Sequence, residues 1–216
     1  MNKKDKKRLG AIAAEIFEEE YKGAVCSLDY AEGDAFQLLI ATRLSAQCTD
    51  ARVNIVTPAL FERFPNAKAM SKASVSEVEE LIKTCGLYKT KARDLIEIGK
   101  KITEDFGGRV PETIEELITL SGVGRKTANL VVGDVYGKPA VVTDTHFIRL
   151  CNRLGLVSTT EPRKVEDAMR KLLPPEKSND FCHRSVLFGR DICTARKAYC
   201  ENCPMKDFCP KKLKKK

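Results

Sequence analysis

The chain has 216 residues, 43% of them apolar, enough to bury a substantial core within one or two domains. Thirty-eight Lys and Arg against thirty Asp and Glu leave a net charge of +8, which points toward a polyanionic partner. No apolar run approaches the length needed to cross a bilayer, and the opening MNKKDKKRLG carries no apolar leader. A soluble, cytoplasmic chain without a signal peptide is therefore expected. Part of the charge is terminal, at Lys3, Lys4, Lys6, Lys7 and Arg8 and again at Lys211, Lys212, Lys214, Lys215 and Lys216. Such runs are ordinarily solvated tails. Tryptophan is absent and aromatics make up 6%, which argues against recognition by broad stacking platforms.

Nearly every segment reads as helix, and none alternates convincingly with period two. Leu9 to Tyr21 is rich in alanine and glutamate, and Ala35 to Ala46 is apolar except for Arg43. Asp50 is placed to cap Ala51 to Phe64. Two overlapping capping boxes, Ser74-x-x-Glu77 and Ser76-x-x-Glu79, open a helix that stops at Gly86. Lys91 to Phe106 follows, ending at Gly107-Gly108, and Pro111 with Thr113-x-x-Glu116 begins a short helix that ends near Leu120. The next helix runs from about Arg125 to Val135. Asp144 or Thr145 caps His146 to Leu154, closed by Gly155. Glu161-Pro162 opens a helix reaching Leu173, and Asn179 to Asp191 is the last. Roughly ten helices and no sheet place the chain in the all-α class. Leu81 to Lys89 weakly repeats as Leu117 to Arg125, thirty-six positions later, suggesting two hairpins of similar shape.

The segment Leu120-Ser121-Gly122-Val123-Gly124-Arg125-Lys126-Thr127 is the most specific backbone signal. Two glycines around an apolar residue permit left-handed dihedrals and a tight reversal between helices. Exposed N–H groups then converge where the second helix begins, a nest that holds phosphate without reading the base. Val123 is expected to point back into the helix pair. Lys126 falls in the first turn of that second helix, where the dipole disfavours a further positive charge and so favours the nucleophilic neutral amine. Eighteen residues on, Asp144 leads an apolar segment into a helix, a place where capping is the commonest role of aspartate.

Four of the nine cysteines, Cys193, Cys200, Cys203 and Cys209, fall in the last 24 residues with the spacing C-x6-C-x2-C-x5-C. Thiols gathered by short loops in a chain expected in a reducing compartment point to a metal site rather than disulfides. Zinc and a [4Fe–4S] cluster both accept four cysteines. Only Cys200/Cys203 forms the short hook usual for zinc, and the longer flanking gaps favour a bulkier group. Cys26, Cys48, Cys85, Cys151 and Cys182 are expected to be small buried apolar residues.

Taken together, Leu120 to Asn129, Asp144-Thr145-His146, the four-cysteine loop, Leu44 to Asp50 and Ile82 to Ala92 resemble the endonuclease III family. These are the bifunctional DNA glycosylase/AP lyases of the helix–hairpin–helix glycosylase superfamily. The resemblance covers nearly the whole chain in order. It implies a six-helix barrel domain at about 28–137, with the helix–hairpin–helix at about 113–135. A second helical domain of 1–27 and 138–216 would hold a [4Fe–4S] cluster on the four cysteines, with a DNA cleft between the two.

The resemblance further implies removal of oxidised pyrimidines from double-stranded DNA by base flipping, and action at abasic sites. Lys126 would form a Schiff base with the sugar, and Asp144 would stabilise the charge that develops there. Gln47 would fill the gap left by the flipped base and Leu87 would wedge against the opposite strand. Gly122, Val123, Gly124, Arg125, Arg196 and Lys197 would meet phosphates; His146 is either a phosphate contact or a core residue. A nucleoid-associated monomer is expected. Ser121 stands where the family usually has proline, Thr143 where it has valine, and Ile118 near an often acidic position. These departures touch substrate preference rather than the chemistry. The alternatives are an adenine-removing or mismatch glycosylase of the same superfamily and a non-catalytic DNA-binding metal module. The presence of Lys126 argues against the adenine-removing reading, and its pairing with Asp144 argues against the non-catalytic module.

Overall fold

A computed structural model describes residues 1–211 and 213, and Lys212, Lys214, Lys215 and Lys216 of the basic C-terminal run lie outside the described residues. Asn2 accepts a hydrogen bond from the Asp5 N–H and opens α1 (Lys3–Glu20). The basic N-terminal run, expected as a tail, is therefore the first turns of a helix, because a cap and an early acid suit it to one. Asp34 caps α2 (Ala35–Ser45). The cap of α3 (Asp50–Arg63) is Thr49 rather than Asp50, whose carboxylate instead accepts from the Ser27 hydroxyl. A four-residue helix, α4 (Ala67–Met70), follows Asn66 and is too short for any periodicity to announce it.

The helix α5 (Val75–Ile82) uses only the first of the two capping boxes, Ser74 and Glu77 bonding reciprocally, while Ser76 lies alongside Ser74. Three residues earlier than the pattern suggests, α6 (Tyr88–Asp105) begins behind Leu87 in a left-handed conformation. Next come α7 (Ile114–Leu117), α8 (Arg125–Asp134) and α9 (Thr145–Arg153), the last capped by Asp144. The helix α10 (Pro162–Met169) stops four residues short of Leu173, and α11 (Ser178–Asp191) leads into the cysteine loop. No described residue lies in a β-strand; one isolated bridge joins Cys193 and Ala198. Among the described residues no helix is long and apolar enough to cross a membrane.

The chain gathers into two units, one of Cys26–Gly137 and the other of Met1–Val25 with Lys138–Lys216. In the first, α2 is buried on nearly every side and packs against α3, α6 and α8, while α6 also carries α4 and α5. Leu38, Leu39, Ile40, Leu44, Leu60, Met70, Ile82, Leu95 and Ile102 fill its core. In the second, α11 packs against α1 and α9 around stacked rings, with Phe17 5.2 Å from Phe181 and 4.5 Å from Phe188. Phe147 meets Phe181 edge-on at 5.9 Å. Aromatic pairs of this kind contribute about 0.5–1.5 kcal/mol each beyond burial.

Candidate functional site

The reversal between α7 and α8 is a β-turn closed by the Val123 N–H on Leu120 O at 3.2 Å. Gly122 at its third position has φ +66, while Ser121 at the second keeps a negative φ, which makes it a type II turn. Gly124 is extended, with φ −95 and ψ 174, so only one of the two glycines uses the left-handed region. Val123 is buried, as the sequence suggests. No side chain caps α8 at Gly124, and its first-turn N–H groups have no acceptor within the helix. The positive end of the dipole and those donors together suit an anion. Lys126 sits exposed in that turn, with the half-buried Arg125 beside it.

A further arrangement holds the turn. The Ser121 hydroxyl donates to Asp94 Oδ1 at 2.7 Å, and Arg43 Nη2 donates to Asp94 Oδ2. A Cβ on Gly122 would overlap Arg43 Nε, so the turn rests directly on the guanidinium. Arg43 showed in the sequence only as a charged break in an apolar helix, and Asp94 gave no signal. Burial pushes the Cys26 thiol up to about 11 against the pull of the nearby Lys126 ammonium.

Gln47 and Leu87 both stand out of their unit in left-handed conformations, at φ 54 and φ 60, and both are exposed. An apolar side chain 59% exposed in a strained turn is not a core leucine. The two loops touch: a Cβ on Gly86 would lie 3.0 Å from Gln47 O. Cys48 and Cys85 face one another there, and burial raises the Cys85 thiol to about 11. Cys85, Cys151 and Cys182 are buried as expected, but Cys26 and Cys48 are only partly so, being on loops. Cys182 also does polar work, accepting from the Val142 N–H at 3.2 Å.

In the other unit, Asp144 is half-buried and its Oδ1 accepts from the Phe147 N–H at 2.7 Å, leaving Oδ2 outside that bond. His146 lies 3.2 Å from Arg149 Nη2 and packs on Gly189. Arg149 also donates to Gly189 O and Cys193 O, while Arg153 donates to Cys193 O, Thr194 O and, at 3.3 Å, Cys193 Sγ. These two arginines, which the sequence pattern did not single out, fasten the cysteine loop to α9.

Cys193, Cys200, Cys203 and Cys209 all line one cavity, together with Leu150, Phe188 and Met205. Among the described residues no three His, Cys, Asp or Glu side chains converge as they would around a single ion. Four thiols around one cavity are a donor set that suits either zinc or an iron–sulfur cluster. Burial first, then the neighbouring sulfurs, push the Cys203 and Cys209 thiols up, so their deprotonation calls for a cation. The Lys211 N–H and the Arg153 guanidinium already point donors at two of the sulfurs. Arg196 and Lys197 are exposed between the first two cysteines, Lys197 lying 4.8 Å over the Tyr199 ring.

Residues 40–175 match the family described as HhH-GPD superfamily base excision DNA repair protein. The chain is 47% identical to endonuclease III of Synechocystis over 90% of its own length and 89% of that protein. It is 41% identical to endonuclease III of Escherichia coli K12 over 83% and 85%.

The chain belongs to the endonuclease III family of the HhH-GPD superfamily.

Among solved structures, this endonuclease III family member is similar to a trapped endonuclease III–DNA covalent intermediate. The TM-score is 0.85 at 36% identity, covering 98% of this chain and 97% of that one. A thermostable thymine-DNA glycosylase matches with TM-score 0.81 and 26% identity over 96% of each chain.

Proposed function

We propose that the protein is a base-excision-repair DNA glycosylase with AP lyase activity, in which Lys126 is the nucleophile and Asp144 its electrostatic partner. The observation that carries this is the exposed Lys126 amine in the uncapped first turn of α8, directly behind the Gly122 turn. The hairpin binds a backbone phosphate of double-stranded DNA through N–H groups, which brings a sugar to the amine. With the damaged pyrimidine flipped out, the Lys126 nitrogen attacks C1′ and the C1′–base bond breaks, the base leaving with a proton. The C1′–O4′ bond then breaks, O4′ taking a proton as the sugar ring opens, and the resulting C1′ iminium makes the C2′ proton acidic. Its loss forms a double bond as the C3′–oxygen bond breaks and the 3′-phosphate departs.

Asp144 stabilises the positive charge that builds on the sugar, the sort of contribution worth most in a water-poor site. Gln47 enters the gap in the stack and Leu87 wedges the opposite strand, consistent with their exposed, outward conformations. Arg125, His146, Arg196 and Lys197 add phosphate contacts. Cys193, Cys200, Cys203 and Cys209 would hold a [4Fe–4S] cluster, which when bound cross-links their loop. The enzyme acts as a monomer. A mismatched-thymine activity is the second reading, supported by the likeness to the thymine-DNA glycosylase.

Borohydride reduction in the presence of abasic DNA tests the mechanism. A covalent adduct is expected from the wild type and none from Lys126→Ala; no adduct from the wild type overturns the lyase assignment. Base release from duplexes carrying oxidised pyrimidines or mismatched thymine separates the two readings of the substrate.

A further inference from the structure

We propose that Asp94 is a positioning residue for the DNA-binding hairpin, locking the turn through Ser121 and Arg43 where a proline would otherwise do so. This rests on the reading of the hairpin as a phosphate site. At the second position of a type II turn, φ near −60° is required, and proline supplies it by covalent constraint. Serine leaves that angle free. Here the freedom is removed from outside: the Ser121 hydroxyl is held at 2.7 Å by Asp94 Oδ1. Asp94 comes from the middle of α6 and Arg43 from the last turn of α2, so the lock is anchored on two packed helices.

The second half of the lock lies under Gly122. Arg43, paired with Asp94 Oδ2, presents Nε against the glycine, and any larger residue there would overlap it. Side-chain exposures of 12% and 16% for Arg43 and Asp94 shield the pair from water and salt. Removing one partner of such a pair costs more than breaking an exposed ion pair, because the other charge is left shielded and uncompensated. Arg43 Nε is buried with no hydrogen-bond partner, so the guanidinium depends on Asp94 for its compensation. One carboxylate thus fixes the side of the turn and the floor beneath it. Backbone N–H donors tolerate little displacement if they are to meet a phosphate oxygen at hydrogen-bond range. A slack turn therefore costs affinity before it costs chemistry.

The test measures two quantities on a duplex containing a tetrahydrofuran abasic analogue or a reactive abasic site. The first is the dissociation constant for the analogue, and the second is the single-turnover rate at saturating reactive duplex. Asp94→Asn and Ser121→Ala are each expected to weaken binding roughly tenfold, the scale of a lost contact worth about 1.4 kcal/mol, with the saturated rate unchanged. Ser121→Pro placed in Asp94→Asn is expected to recover most of the affinity. Ser121→Ala leaves the Arg43–Asp94 pair and the core untouched, so it stays informative if Asp94→Asn folds poorly. Wild-type affinity in Ser121→Ala, or a folded double variant that proline does not rescue, overturns the proposal. Borohydride trapping by the wild type, run alongside, tells failure of this inference from failure of the lyase reading.

Discussion

Lys91 has no exposed surface, yet its Nζ lies 2.7 Å from Leu44 O in the last turn of α2. A cation there faces the negative end of a helix dipole and satisfies a terminal carbonyl. Burial holds its amine below the usual lysine range, with the nearby Arg43 adding to the effect against Cys48 and Cys85. The native chain therefore releases this proton at lower pH than the unfolded chain does. Between the lowered value and 10.5 the unfolded state holds more protons, and stability rises with pH. Lys91→Met should destabilise by about 1–3 kcal/mol at neutral pH, because Leu44 O loses its donor. The deficit should grow as pH rises toward 10.5, since only the wild type gains from the lost proton. Urea unfolding of both proteins across that range reads the difference, and a constant gap excludes Lys91 as the titrating group. Nothing in the sequence marks Lys91 as buried. It stands among other charged residues on α6, and only tertiary packing decides which of them turns inward.

Helix ends show what short-range chemistry determines. Asn2, Asp34, Thr49, Asn66, Ser74, Thr113 and Asp144 each cap a helix with a side-chain oxygen. A cap needs only a neighbour three residues on, so Ser74, Thr113 and Asp144 were legible in the sequence, while Asn2, Asp34 and Asn66 lie beside segments whose pattern did not single them out. Errors came where two candidates competed, as with Thr49 and Asp50, and long-range contacts such as Ser27 on Asp50 decided between them. The repeated hairpins were legible only in outline. Leu87 is left-handed in the first and Gly122 in the second, because the turns meet different partners, Gln47 O and Arg43. Asp144 carries both a structural and a proposed catalytic role, and the two are separable at this scale. Asp144→Asn keeps an oxygen for the Phe147 N–H, so stability should hold within about 0.5 kcal/mol while base release falls at least about 100-fold. Asp144→Ala should lose the same activity and also about 1 kcal/mol of stability. Equal activity in Asp144→Asn and the wild type, measured in single turnover, would leave the residue a cap and nothing more.

At the scale of the whole molecule, each unit has its own apolar core, and only one of them contains the four-thiol cavity. The sequence announced those thiols by spacing alone, and the resemblance supplied what they would hold. What spacing did not reveal is how the loop is fastened. Arg149 and Arg153 reach from α9 to the carbonyls of Gly189, Cys193 and Thr194, and Met205 is fully buried beneath the cysteines. Hydrogen bonds from Arg149 and Arg153 to Cys193 O thus tie the loop to α9. Loss of the bound group should therefore loosen more than residues 193–209. The wild type should contain about four iron atoms per chain, with a visible absorption band. Cys203→Ser should lose most of the iron and melt at a lower temperature, because metal binding free energy is folding free energy for a loop with little core of its own. Hydrogen exchange should accelerate in the cysteine loop, the C-terminal turn of α9 and the end of α11, while α2 and α6 keep their protection. Zinc in place of iron in the purified protein would refute the cluster. Uniform acceleration across both units would instead mean that they do not unfold separately, and that the thiol loop supports the entire chain.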